Sequence, residues 1–245
     1  MNNTEVFRQA IERIKAAYAE LGYTLGWNFL YSPARTLAHE TKLMLVGINP
    51  GASQYYLPIE SVEAGNGFRA DILPFEGRGK VFQQEISCLF QRIVSKMNHV
   101  ITWEALLDRT LTANFCPFRA ANWGALPRRD QAVAFSRQLW RDLFQYLDPA
   151  VIVCYGGPAF QYFGEVLQAH GFALRERATE APTGWGATTY RVHLLNAGSR
   201  QLTLVGFPHF ARFTVCTRAQ CFAQMEAPIR IIAERLMEFP EWLAG

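Results

Sequence analysis

Four short apolar runs, each closing on polar or turn-forming residues, constrain what this chain can fold into more than any other feature. Leu43–Gly47 runs into Asn49-Pro50-Gly51, Thr110–Ala113 into Asn114-Phe115-Cys116-Pro117, Val151–Tyr155 into Gly156-Gly157-Pro158, and Thr203–Gly206 into Pro208-His209. Runs this short and continuously apolar are read as strands buried on both faces. Between and around them the spacing is helical. Phe7, Ile11, Ile14, Tyr18 and Leu21 predict a helix over 4–21, with Asn2 or Thr4 as cap and Gly22 and Gly26 closing it. Phe82, Ile86, Leu89, Ile93 and Met97 predict a second helix, Ala132, Phe135, Leu139 and Leu143 a third, and Phe160, Phe163 and Leu167 a fourth. Ile229, Ile232 and Leu236 predict a closing helix with Pro228 in its first turn. Tyr190–Leu195 is strand-like and suited to pair with Thr203–Gly206 across Asn196–Arg200, whereas 52–79 lacks any period and reads as a long loop. The alternation predicts one α/β domain over residues 1–245, a three-layer sandwich whose mainly parallel central sheet carries helices on both faces.

Composition removes several classes of function. Half of the residues are hydrophobic and 18% are charged, which excludes a disordered or coiled-coil chain. The apolar runs are far shorter than the roughly 18 residues of a membrane span, and Glu5, Arg8, Glu12 and Arg13 interrupt any signal-peptide core. A cytoplasmic protein, nucleoid-associated if bacterial, is expected. The net charge of +3 limits any nucleic-acid face to a local patch. Cys88, Cys116, Cys154, Cys216 and Cys221 are scattered without a CxxC pair, so reduced thiols and no metal are expected.

Ligands of open parallel sheets lie beyond the carboxyl ends of the strands. Asn49, Asn114, Gly156-Gly157 and His209 all stand at or just past those ends, so a parallel sheet gathers them into one crevice. Two carboxamides and an imidazole, with aromatics and without a carboxylate or cysteine at the strand ends, suit a planar hydrogen-bonding ligand such as a nucleobase.

In this order the residues resemble the uracil-DNA glycosylase superfamily. Gly47-Ile48-Asn49-Pro50-Gly51 is similar to the first active-site motif of the mismatch-specific and single-strand-selective branches, and Pro74-Phe75 to the Pro-Phe pair that follows it. Asn114-Phe115-Cys116-Pro117 resembles the Asn-x-Cys-Pro of the single-strand-selective branch, and Pro208-His209-Phe210-Ala211-Arg212 stands where the family has His-Pro-Ser. Phe210 and Ala211 depart from that last motif, and the 52–73 segment is longer than the family pattern. The resemblance implies a monomer that hydrolyses the N-glycosidic bond of uracil or a related deaminated or damaged base in DNA, without metal or cofactor. A base must leave the stack to be reached. Gly47, Ile48, Phe75 and Asn114 would form the base pocket. Phe75 would stack on the flipped base, and the Asn114 carboxamide would accept from uracil N3–H and donate to O4, a pattern that cytosine reverses. His209 would stabilise the departing base, and Asn49 would position water below C1′. Because an amide cannot act as a general base, turnover is expected to be modest. Arg212 and Phe213 would enter the DNA, Gly156 and Gly157 would approach a phosphate, and Arg128, Arg129, Arg200 and Arg218 would supply a positive patch.

Two other readings stay open. One is a member of the same fold that binds a base or nucleic acid without cleaving it. The other is a nucleotide-phosphate enzyme, for which Gly77-Arg78-Gly79-Lys80 is superficially similar to a phosphate loop but lacks the upstream Gly and following Ser or Thr, and follows no buried strand.

Overall fold

A computed structural model describes residues 3–176 and 178–244. The four apolar runs form parallel strands β1 (Leu43–Gly47), β2 (Leu111–Asn114), β3 (Val151–Tyr155) and β7 (Arg200–Phe207), every residue of the first three being buried. β6 (Thr189–Ala197) folds back antiparallel on β7, and the short edge strands β4 (Ala173–Leu174) and β5 (Thr179–Pro182) pair with it. The spatial order is β2-β1-β3-β7-β6-β4, with β5 also on β6. Beyond β2 the irregular segment 27–31 runs antiparallel to it, bridging Leu30 to Ala113 and Trp27 to Phe118.

Alternate side chains of each strand enter opposite cores. One face is covered by α1 (Asn3–Glu20), α4 (Arg129–Leu143) and α5 (Gly157–Ala169), which pack on Met44, Val46, Leu111, Ala113, Ile152 and Cys154. The other is covered by α2 (Arg78–Lys96), α3 (Trp103–Arg109), α6 (Phe222–Met237) and α7 (Pro240–Ala244), over Leu43, Leu45, Val151, Val153 and Val205. The expected α/β sandwich with a mainly parallel sheet is the observed fold. No helix among the described residues is long and apolar enough to cross a membrane.

Helix boundaries differ from the expected ones for local reasons. Thr4 falls inside α1 rather than capping it, and Asn2 lies outside the described residues. Gly22, at φ 68°, closes α1 in a left-handed conformation that glycine adopts without strain. α6 starts at Phe222, so Pro228 sits inside the helix and not in its first turn. Buried Cys221 and Met225 extend the apolar stripe upstream of Ile229 and Ile232. Their burial offsets the roughly 3 kcal/mol that an interior proline costs.

Candidate active site

Strand parity builds the site. Gly47 ends β1 opposite Asn114, the last residue of β2, and both face the core that holds Tyr155, Phe82 and Tyr31. A Cβ on Gly47 would collide with the Tyr155 hydroxyl and with Asn114 Oδ1. Glycine is thus required for two polar side chains to lie over the end of β1. Ile48 alternates to the opposite face and buries its side chain there. Cys116 does the same, and burial pushes its thiol up to about 12, which makes it a packing residue rather than a nucleophile.

Phe75 is half-buried and edge-on to Tyr31 and Phe68, with ring centroids 6.5 and 6.3 Å away. Its position is fixed on two sides. Its backbone N–H donates to Gln83 Oε1 at 3.0 Å, while Gln83 Nε2 donates to Leu73 O at 2.6 Å. Its Cβ rests where a side chain on Gly79 would need room, 2.7 Å from an added Cβ. Gly77-Arg78-Gly79-Lys80 therefore opens α2 and seats Phe75, and it follows a loop, not a strand.

His209 closes the ring. It lies edge-on to Tyr155 at 5.8 Å and tilted against Phe82 at 6.2 Å. Gly156, at φ 98°, adopts a backbone conformation that a side chain would strain, and a Cβ there would only touch His209 Cδ2 at 3.6 Å. The Ala211 N–H donates to His209 Nδ1 at 3.2 Å. In the neutral ring this leaves the proton on Nε2, a hydrogen-bond donor. Burial, and then the charge of Arg212, lower the His209 pKa below its ordinary value, so the neutral donor form prevails at neutral pH. Buried Glu85 holds the chain beyond this turn, accepting from the backbone N–H groups of Cys216 at 2.7 Å and Thr217 at 3.1 Å and from the Thr217 hydroxyl. Asn49 is half-exposed, its Nδ2 donating only to Pro50 O at 3.2 Å.

The structure thus brings Gly47, Phe75, Asn114, Gly156 and His209 around one focus, with Asn49 on the adjoining turn and Gly157 exposed at the start of α5. The outer contacts are less uniform. Arg212 is exposed, but Phe213 is half-buried edge-on to Trp185 at 6.3 Å, and Phe210 is fully buried beside Tyr155. Arg218 stacks 3.4 Å over the Trp185 ring. Arg200 is misplaced in the expected positive patch. It begins β7, at the amino end of a parallel strand, where it pairs with Asp148 at 3.0 Å.

Four participants escape sequence reasoning. Burial raises the hydroxyl pKa values of Tyr31 and Tyr155 and keeps both protonated. The Asn114 and Asn28 carboxamides act on the Tyr31 hydroxyl as hydrogen-bonding neighbours, although among the described residues neither polar atom of the fully buried Asn28 reaches good hydrogen-bond geometry. Arg119 acts on the same hydroxyl through its charge. Arg119 acts on Tyr31 and Arg212 on His209, and no carboxylate of the described residues is among the groups that act on Tyr31, Tyr155 or His209. No group of three metal-ligating side chains occurs among the described residues. Comparison with protein-family models and with curated proteins returns no match for this chain.

Proposed function

We propose that the chain is a monofunctional DNA glycosylase of the uracil-DNA glycosylase type, acting on uracil or a related deaminated base flipped into the crevice. The observation that carries this reading is the His209 Nε2–H, fixed by the Ala211 N–H bond to Nδ1, in a crevice whose charged neighbours are cationic. Cleavage breaks the bond between C1′ and the base nitrogen, and the bonding pair leaves with the base. A preorganised donor facing that developing anion lowers the barrier without needing to move a proton. Phe75 and Tyr31 supply faces for stacking, and Asn114 reads the base edge. Water positioned by Asn49 adds to C1′, its proton passing to solvent.

No carboxylate of the described residues is among the groups acting on Tyr31, Tyr155 or His209, which favours one rival, a protein that binds a base without cleaving it. Single-turnover assays separate the two, using oligonucleotides carrying uracil, hypoxanthine, xanthine, 5-hydroxymethyluracil or a thymine mismatch, single- and double-stranded, at low salt. An abasic product from any lesion supports the glycosylase. Binding without product from all of them supports the rival. Asn114→Ala is expected to lose discrimination between uracil and cytosine, and unchanged selectivity would remove Asn114 from base reading.

A further inference from the structure

The loop that follows Asn49-Pro50-Gly51 exposes Tyr55, Tyr56 and Leu57 by 56%, 47% and 75%. The other exposed large hydrophobics, Val100, Leu174, Phe222 and Met237, stand singly among the described residues. Three consecutive exposed apolar residues are unfavourable for a folded domain unless they meet something. The tip is anchored on both sides, by Ala52 N–H to Ala120 O at 2.9 Å, Tyr56 N–H to Leu25 O at 3.2 Å and Ile59 N–H to Trp27 O at 3.0 Å. It is a presented surface.

Beneath it lies a second anomaly. Arg119 is 8% exposed, its guanidinium sits 5.2 Å from the Tyr56 ring, its Nε is buried without a hydrogen-bond partner, and among the described residues it makes no ion pair. Arg92 and Arg137 also bury a nitrogen without a partner, but each is held through another nitrogen, by Phe222 O and by Glu165 respectively. A buried cation without an anion is costly, and residues 52–58 contain no acidic side chain that could approach it. The bridge from Gly51 to Ala120 places Arg119 between the Asn49 turn and the exposed tip.

We infer that the 52–58 loop and Arg119 form the contact for the nucleic-acid strand flanking the site, Tyr55 and Leu57 packing on bases and Arg119 taking a backbone phosphate. The inference rests on the reading of the crevice as a nucleic-acid site, and it gives the stacking role to this loop in place of Phe213, which is occupied by Trp185. Aromatic faces beside a cation are the usual means of holding an unpaired strand.

Fluorescence anisotropy tests it, using a labelled duplex carrying a tetrahydrofuran abasic analogue and the corresponding single strand, from about 50 to 200 mM salt. Arg119→Met is expected to reduce the slope of log K against log salt by about 1. The double variant Tyr55→Ser/Leu57→Ser, on the surface and harmless to folding, is expected to weaken binding at least about 5-fold at every salt with the slope unchanged. If the wild type binds and both variants bind as it does, this inference is overturned while the site reading stands. If Arg119→Met keeps the slope but lowers single-turnover cleavage, Arg119 serves the departing base and the phosphate assignment fails. If the wild type binds neither oligonucleotide, the site reading fails with it.

Discussion

At the amino ends of the strands Lys42 donates to the Asp148 carboxylate at 3.1 Å and to its carbonyl, Arg200 pairs with the same carboxylate, and Arg109 holds the carbonyls of Trp242, Leu243 and Ala244. At the carboxyl ends, among the described residues, Asn28 has no well-formed hydrogen bond through either polar atom and Arg119 has no counter-ion. The amino end also has an opening of about 930 Å³ lined by residues such as Arg35, His39, Lys42 and Trp242. Polar groups that satisfy one another stabilise a fold, whereas buried groups held without partners cost stability until a water, an ion or a ligand pairs with them.

The largest test of this contrast is His209→Ala. Loss of a preorganised donor is expected to slow single-turnover cleavage by about 10²-fold or more, with affinity for the abasic duplex nearly unchanged. Equal losses in rate and binding would make His209 a structural residue, and the carboxyl end would then resemble the amino end.

Asn28→Val comes next. If both polar atoms of Asn28 await a ligand, an apolar replacement removes their desolvation penalty and stabilises the free protein by about 1–3 kcal/mol in urea unfolding, while cleavage or base binding falls. A less stable variant would show that Asn28 is satisfied in the free protein and erase the contrast at that position.

How far these features were legible follows from where each residue lies. The strands that carry Asn114 and His209 could be read because burial on both faces leaves an uninterrupted apolar run. β4 and β5 could not, since exposed edge residues such as Glu180 carry no such pattern, and α3 is only seven residues long. Asn28 and Arg119 lie in segments without periodicity, and what marks them is a partner missing in three dimensions. The position of Arg200 was within reach. A residue that opens a parallel strand after a hairpin turn must lie at its amino end, away from the crevice.

Asp148→Asn probes the amino end and should have the smallest effect. Burial pushes the Asp148 carboxyl up, but Lys42 and Arg200 together hold it below its usual value. A carboxyl with a lowered pKa in the folded state contributes stability above the unfolded value near 3.8, and that contribution is lost as pH falls through the folded value. Both partners are partly exposed, which limits the effect to about 0.2–1 kcal/mol at neutral pH. Stability curves for wild type and variant should therefore run parallel from neutral pH down to about 5 and converge below 3.8. Cleavage should be untouched throughout. A loss of activity in Asp148→Asn would mean that the ion pairs at one end of the sheet act on the chemistry at the other, and the division of labour between the two ends would have to be given up.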